Sequence, residues 1–148
     1  MIGTKVKIED NTAAVVKAEQ KASFENIRQV AFSIRKDAIS TIKTRPKKRK
    51  GRKGRQQSSP PGQPPMTAAR RGKNLRSAIY VAADMSDKGF ESALVGPRAS
   101  FVGQAGEVHE LGKSRGGASF PERPFMNPAL MRAVPRMAGQ WSGTIGSS

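Results

Sequence analysis

The sequence predicts an α+β domain: a small antiparallel sheet packed with a long N-terminal helix and a shorter C-terminal helix, interrupted by a long basic, Pro/Gly-rich loop. Three observations carry that prediction. Residues Thr12 to Thr44 contain neither Gly nor Pro and repeat their apolar side chains at helical spacing. Two short runs rich in β-formers flank a turn near Gly89, and a second helical segment opens at Asn127-Pro128. Strand, long helix, loop, hairpin, short element and helix, in that order, are the parts of one α+β layer structure, and 148 residues fit one domain.

The elements follow in chain order. Thr4 to Glu9 alternate, with Val6 and Ile8 on one face, and predict a short strand. Asp10 and Asn11 are good helix N-caps, because a side-chain oxygen can satisfy a free backbone N–H there. Phe24, Ile27, Ala31, Ile34 and Ala38 are spaced three and four apart, and Val30 and Ile42 widen the stripe. One amphipathic helix is expected over residues 12–43. Pro46 stops it, since the residue before a proline is pushed out of the α region. The stripe reads as core packing, or more sharply as an oligomer seam.

Residues 45–74 should form no conventional element. Lys47, Lys48, Arg49, Lys50, Arg52, Lys53 and Arg55 repel one another, and "SSPPGQPP" (58–65) favours polyproline II and turns. Order should resume in a strand over 74–84, with Leu75, Ser77, Ile79 and Val81 in one phase. A turn at 86–89 and a second strand at 90–96 complete an antiparallel hairpin ended by Pro97. Residues 98–106 read as loop, 107–112 as a strand or one helical turn, and 113–124 as loop. The last helix has Asn127 as N-cap and Pro128 in its first turn, where a missing N–H costs nothing. Pro135 should kink or end it, and the tail after residue 141 should be flexible.

Composition limits the function. The chain carries 27 Lys+Arg against 11 Asp+Glu, a net charge of +16, which favours polyanions and opposes self-association unless screened. Only 5% of residues are aromatic, a thin supply for a core. With no cysteine and one histidine, disulfides are excluded and a structural zinc site is not expected. No apolar run spans a membrane, and "MIGTKVKIED" lacks the apolar region of a signal peptide.

Enzyme motifs fail one by one. "GKSRGG" invites a phosphate-loop reading, but the required earlier glycine would fall at Glu107, and Gly106 is one residue too far. His109-Glu110 suggests a zincin helix, but the second histidine would fall at Lys113. Glu107 and Glu110 define neither a glycosidase pair nor a metal site. The expectation is no catalytic residue, no cofactor and no metal. The basic run can neutralise phosphates by counterion release, yet it has no interleaved aromatics for stacking on single strands.

From the loop onward the motif order is familiar. "SSPPGQPP" followed by "GKNLRSAI", then "ALVGP", "VHELGKS" and "PERPFMNPAL", resembles the succession S-x-P-G-x-P-P, G-x-L-R-x-S-I, a strand ending in V-G, Y-x-x-x-x-E-F-G-T and R-P-F-L-x-P-A-L of a phage tail-component family. That family comprises neck, tail-completion and head–tail joining proteins of long-tailed bacteriophages. The resemblance covers roughly residues 58–134, and "RPFMNPAL" is its strongest piece. Two departures stand out: Lys113 replaces the usual threonine, and the basic insert at 47–55 is longer and more charged than the family pattern.

The resemblance implies an α+β virion subunit in a ring of six or twelve copies, contacting neighbouring neck and tail-tube proteins, with no membrane. Assembly would take place in the host cytoplasm. It assigns the subunit or partner interface to Pro61, Gly62, Pro64, Pro65, Leu75, Arg76, Ile79, Glu110, Leu111, Gly112, Arg123, Pro124, Phe125 and Pro128. Within that set, Arg123 offers a carboxylate-binding fork with Glu110 as its expected partner. Phe125 reads equally as a docking anchor and as a residue of the subunit's own core. Lys47, Lys48, Arg49, Lys50, Arg52, Lys53 and Arg55 are the expected contact with packaged DNA or an acidic partner. The competing expectation is a small, sequence-nonspecific DNA-binding protein that uses this run.

Overall fold

The computed structural model describes residues 11–46, 58–67, 74–85, 91–115 and 118–142. The strand expected at 4–9, the basic run 47–55, the turn at 86–89 and the tail beyond Ser142 lie outside the described residues.

Helix α1 runs from Thr12 to Thr41, close to the expected span. Asn11 occupies the cap position, but its side chain makes no cap bond. At the other end the Ser40 hydroxyl donates to the Asp37 carbonyl (2.7 Å) and the Thr41 hydroxyl to that of Ala38 (2.8 Å). Such back-bonding by Ser and Thr shares the last carbonyls of the helical ladder and ties these side chains to the final turn. Ile42 is already extended. The chain then enters β1, Lys43–Thr44.

The segment expected to lack regular structure contains a strand. β2, Met66–Thr67, pairs in parallel with β1, and the Arg45 N–H donates to the Thr67 carbonyl (2.7 Å). Pro64 and Pro65 hold their backbone near the extended region, so two residues suffice to catch a neighbouring strand. These two-residue partners form the stem of the loop that contains the basic run.

The hairpin is present with a shorter first strand. Residues 75–78 form a turn instead, held by the Ser77 N–H on the Asn74 side-chain oxygen (3.0 Å) and the Ala78 N–H on the Asn74 carbonyl (3.0 Å). An Asn side chain that mimics the backbone in this way favours a turn over a strand. β3 (Ile79–Met85) then pairs antiparallel with β4 (Glu91–Pro97), Ile79 opposite Pro97 and Val81 opposite Val95.

Three further readings are corrected. Residues 98–106 are largely helical: α2 spans Ala99–Val102 and α3 spans Ala105–Leu111. Neither reaches three turns, so no apolar period could announce them. The region 113–124 contains a small antiparallel hairpin, β5 (Lys113–Arg115) with β6 (Ala118–Phe120). Helix α4 begins at Met126, not after Asn127, and continues through Pro135 to Trp141. Pro135 and Met131, whose carbonyl loses its donor, are both exposed, so water can satisfy the freed group.

The core lies where α1 meets α4 and the hairpin. Val30, Ile34, Ala38 and Ile42 of α1 pack with Leu75, Ile79, Phe125, Ala129 and Ala133. The small residues Ala38, Ala129 and Ala133 are buried and let the two helix axes approach closely. Phe125 and Ile79 are fully buried, each worth about 1.5–3 kcal/mol relative to exposure. An Asp37–Arg136 ion pair (2.5 Å) joins α1 to α4, and Arg35 Nε donates to the Ile79 carbonyl (2.7 Å), joining α1 to β3. Everything inside α1 before Val30 lies outside this core.

Candidate interaction site at the start of the last helix

Glu110 organises the site. Its carboxylate accepts three backbone N–H groups at the start of α4: Phe125 (2.9 Å), Met126 (3.0 Å) and Asn127 (2.7 Å). The next residue, Pro128, has no N–H to satisfy. All four donors that a helix start leaves open are thereby accounted for, and a negative group sits at the positive end of the helix dipole. Gly112 makes this geometry reachable. Its φ of +61° turns the chain after α3, and a Cβ there would stand 3.0 Å from the Phe120 carbonyl oxygen.

Arg123 binds elsewhere than expected. Its Nε donates to the Ser59 carbonyl (2.8 Å) and its Nη1 to the Pro121 carbonyl (3.4 Å). The expected Arg123–Glu110 pair is replaced because a helix N-terminus offers the carboxylate several aligned donors at once. The Arg123 N–H also donates to the His109 carbonyl (2.6 Å), and the Gly62 N–H to the Glu122 carbonyl (2.8 Å). Gly62, at φ +74°, closes a turn in the proline segment with the Gln63 N–H on the Pro60 carbonyl (3.3 Å). The proline segment is thus tied to the residues preceding α4 at two points.

His109 is half-buried beside this network. Burial lowers its pKa from the usual 6.5, and the nearby Arg123 charge lowers it further. A neutral imidazole is the form this environment favours. Glu107, three residues earlier on α3, pairs with Lys113 across the start of β5.

A largely apolar cleft of about 360 Å³ opens between α3 and the start of α4, with Pro97, Gly103, Gly106, Leu111 and Met126 among its walls. Gly106 packs so closely on Pro97 that a Cβ would fall 2.2 Å from the proline ring. Among the described residues, no group of His, Asp or Glu is placed to hold a metal. Of the two acids in the cleft wall, Glu110 is committed to backbone donors and Glu107 is paired with Lys113. The arrangement braces the start of α4 and leaves an apolar cleft beside it.

The residues singled out from sequence divide into three groups. Glu110, Gly112, Arg123, Phe125, Pro128 and Gly62 meet at the network just described. Pro65, Leu75, Ile79 and Phe125 lie inside the subunit's own core. Of the two readings of Phe125, core packing is the one seen here. Pro64 and Pro124 are half-buried, Pro61 and Leu111 are exposed, and Arg76 donates to the Thr44 hydroxyl (3.1 Å) beside the loop stem. Ser59 and Glu122 carry no sequence signal of this role, and His109 was weighed only for its side chain, because each contributes a backbone carbonyl, which no side-chain pattern marks. The seven basic residues from Lys47 to Arg55 lie outside the described residues, but both flanks of that run are held. Arg45 is bonded to β2, and Ser59 to Arg123. No described helix is long and apolar enough to cross a membrane.

Comparison of the chain with protein-family models, with curated proteins and with solved structures returns no match.

Proposed function

We propose that the chain is a structural virion protein forming a ring at a phage head–tail junction, where it completes the tail and joins it to the head. It acts by binding, not by catalysis. One observation carries the reading. Three of the motif pieces behind the resemblance, "SSPPGQPP", "VHELG" and "ERPFMNPAL", the first distant in sequence from the other two, meet in one hydrogen-bonded network through Glu110, Arg123, Ser59 and Gly62. The test is electron microscopy of lysate from a phage whose copy of this gene is interrupted. Full heads separated from free tails, or tails of abnormal length, support the proposal. Normal infectious particles overturn it.

The second reading is sequence-nonspecific DNA binding by the run Lys47 to Arg55. What favours it is the stem: β1–β2 pairing and the Arg123–Ser59 bond hold both flanks of a loop with seven cations. It predicts duplex binding whose affinity falls steeply with salt. Replacing Lys47, Lys48, Arg49 and Lys50 with Gln should reduce the log–log salt slope by about 3 to 4, if each contacts one phosphate. An unchanged slope would remove the run from the binding surface.

A further inference from the structure

We infer that α1 and α4 carry the two halves of a head-to-tail interface: the N-terminal part of α1 from one copy seats on the outer side of α4 in the next. The inference deepens the ring reading above and rests on it only for closure of the ring.

The first half is the overhang of α1. Its apolar stripe does not stop where the core stops. Ala13, Val16, Gln20, Phe24 and Ile27 continue the face that carries Val30, Ile34 and Ala38. Before Val30 this face is only partly covered: Phe24 and Ile27 are half-buried, whereas Ala13, Val16 and Gln20 are exposed, Val16 by 46%. The exposed overhang, residues 12–21, is roughly 15 Å of helix. Its stripe, an arc of about 120°, holds no charged residue, although Lys17, Glu19, Lys21, Glu25 and Arg28 surround it.

The second half is on α4. A helix needs an apolar arc of roughly 100° to face a core. Met126, Ala129, Ala133 and Met137 supply it here. The apolar surface nevertheless continues around the helix through Leu130, Val134, Ala138 and Met131, which are exposed; Leu130 is 41%, Val134 49% and Met131 62% exposed. This outer arc is also free of charge, since Arg132 and Arg136 project from the remaining side.

Two arguments make a second copy the occupant. The first is charge. A chain at +16 repels its own copies, so they can meet only where neither presents cations, and these two stripes satisfy that condition on both sides. The second is continuity. The α1 stripe already seats on α4 within the subunit, and its uncovered extension meets the same kind of helix surface on a neighbour. Pairing two overhangs with each other would leave the α4 stripe uncovered, whereas one head-to-tail contact covers both. Heterologous contacts of this kind close into rings when the rotation between copies permits.

The test uses the full-length chain at about 0.5 M NaCl, where the screening length is only a few ångströms. Light scattering after size exclusion reads the mass. Wild type should form assemblies larger than a dimer. Val16→Asp and Val134→Asp should each be monomeric, with the helical circular dichroism of wild type, since both positions are exposed in the subunit. Val16→Gln, which keeps helix propensity, should weaken assembly at least tenfold. Val15→Asp, on the other side of the overhang, should assemble as wild type. The decisive sample is the equal mixture of Val16→Asp and Val134→Asp. Each variant retains the half the other lacks, so the mixture should give dimers and stop there. A monomeric wild type, normal assembly by Val134→Asp, or a mixture that stays monomeric would each overturn the interface. The last two results would leave the neck reading standing, which the phage microscopy decides separately.

Discussion

Glu110 shows what one side chain can do when three backbone N–H groups converge on it. Its carboxylate replaces the cap that α4 lacks in its own sequence, because the cap position is Phe125. Glu110→Ala should cost about 1–2 kcal/mol, read as a lower urea midpoint at unchanged slope. A loss below a few tenths would mean that water caps the helix equally well. One residue earlier, His109 has a folded-state pKa below its unfolded value, through burial first and Arg123 second. As pH falls through about 6.5 the unfolded chain takes up the proton first, so the folded state loses stability and regains it as pH rises. Wild type should therefore lose stability relative to His109→Gln between about pH 7 and pH 5. A constant difference across that window would show that the imidazole titrates as it does in water.

At the scale of elements, α4 tests how far local rules reach. A proline inside a helix removes one hydrogen bond and crowds the preceding turn, and the sequence rule predicts a kink or an end at Pro135. The helix continues to Trp141 because Ala133 and Met137, on either side of Pro135, are held against α1, while the proline faces solvent. The local cost remains and is offset by packing. Pro135→Ala should therefore stabilise the protein by about 1–3 kcal/mol, seen as a higher melting temperature. Destabilisation instead would mean that Pro135 itself is needed to seat Met137 and Trp141. The long helix was legible from its stripe, and β3–β4 from their composition. The short elements α2, α3, β5 and β6 were not, since three to seven residues contain less than a full pattern and are placed by their neighbours.

For the whole molecule, charge dominates. The chain holds +16 on 148 residues, with few ion pairs among the described residues to offset it. Self-repulsion in the compact state should exceed that in the expanded one. The melting temperature should rise as NaCl goes from about 0.02 to 0.2 M, with most of the gain at the low end, where screening changes fastest. A fall would mean that the Asp37–Arg136 and Glu107–Lys113 pairs outweigh the net charge. The same field explains why uncharged surface is scarce and informative. The stripe beyond Val30 and the outer arc of α4 stand out against it.

The α+β class, the long helix and the hairpin were readable from residue order, because periodicity and turn chemistry act between near neighbours. The same is true of the motif pieces and their order. The joining of those pieces was decided by tertiary structure. That Glu110 caps α4 and leaves Arg123 to Ser59, that β2 finds β1, and that Phe125 turns inward depend on backbone groups brought together across 15 to 64 residues of chain. A carbonyl or an N–H is the same at every position, so its partner is set only when packing brings one within reach.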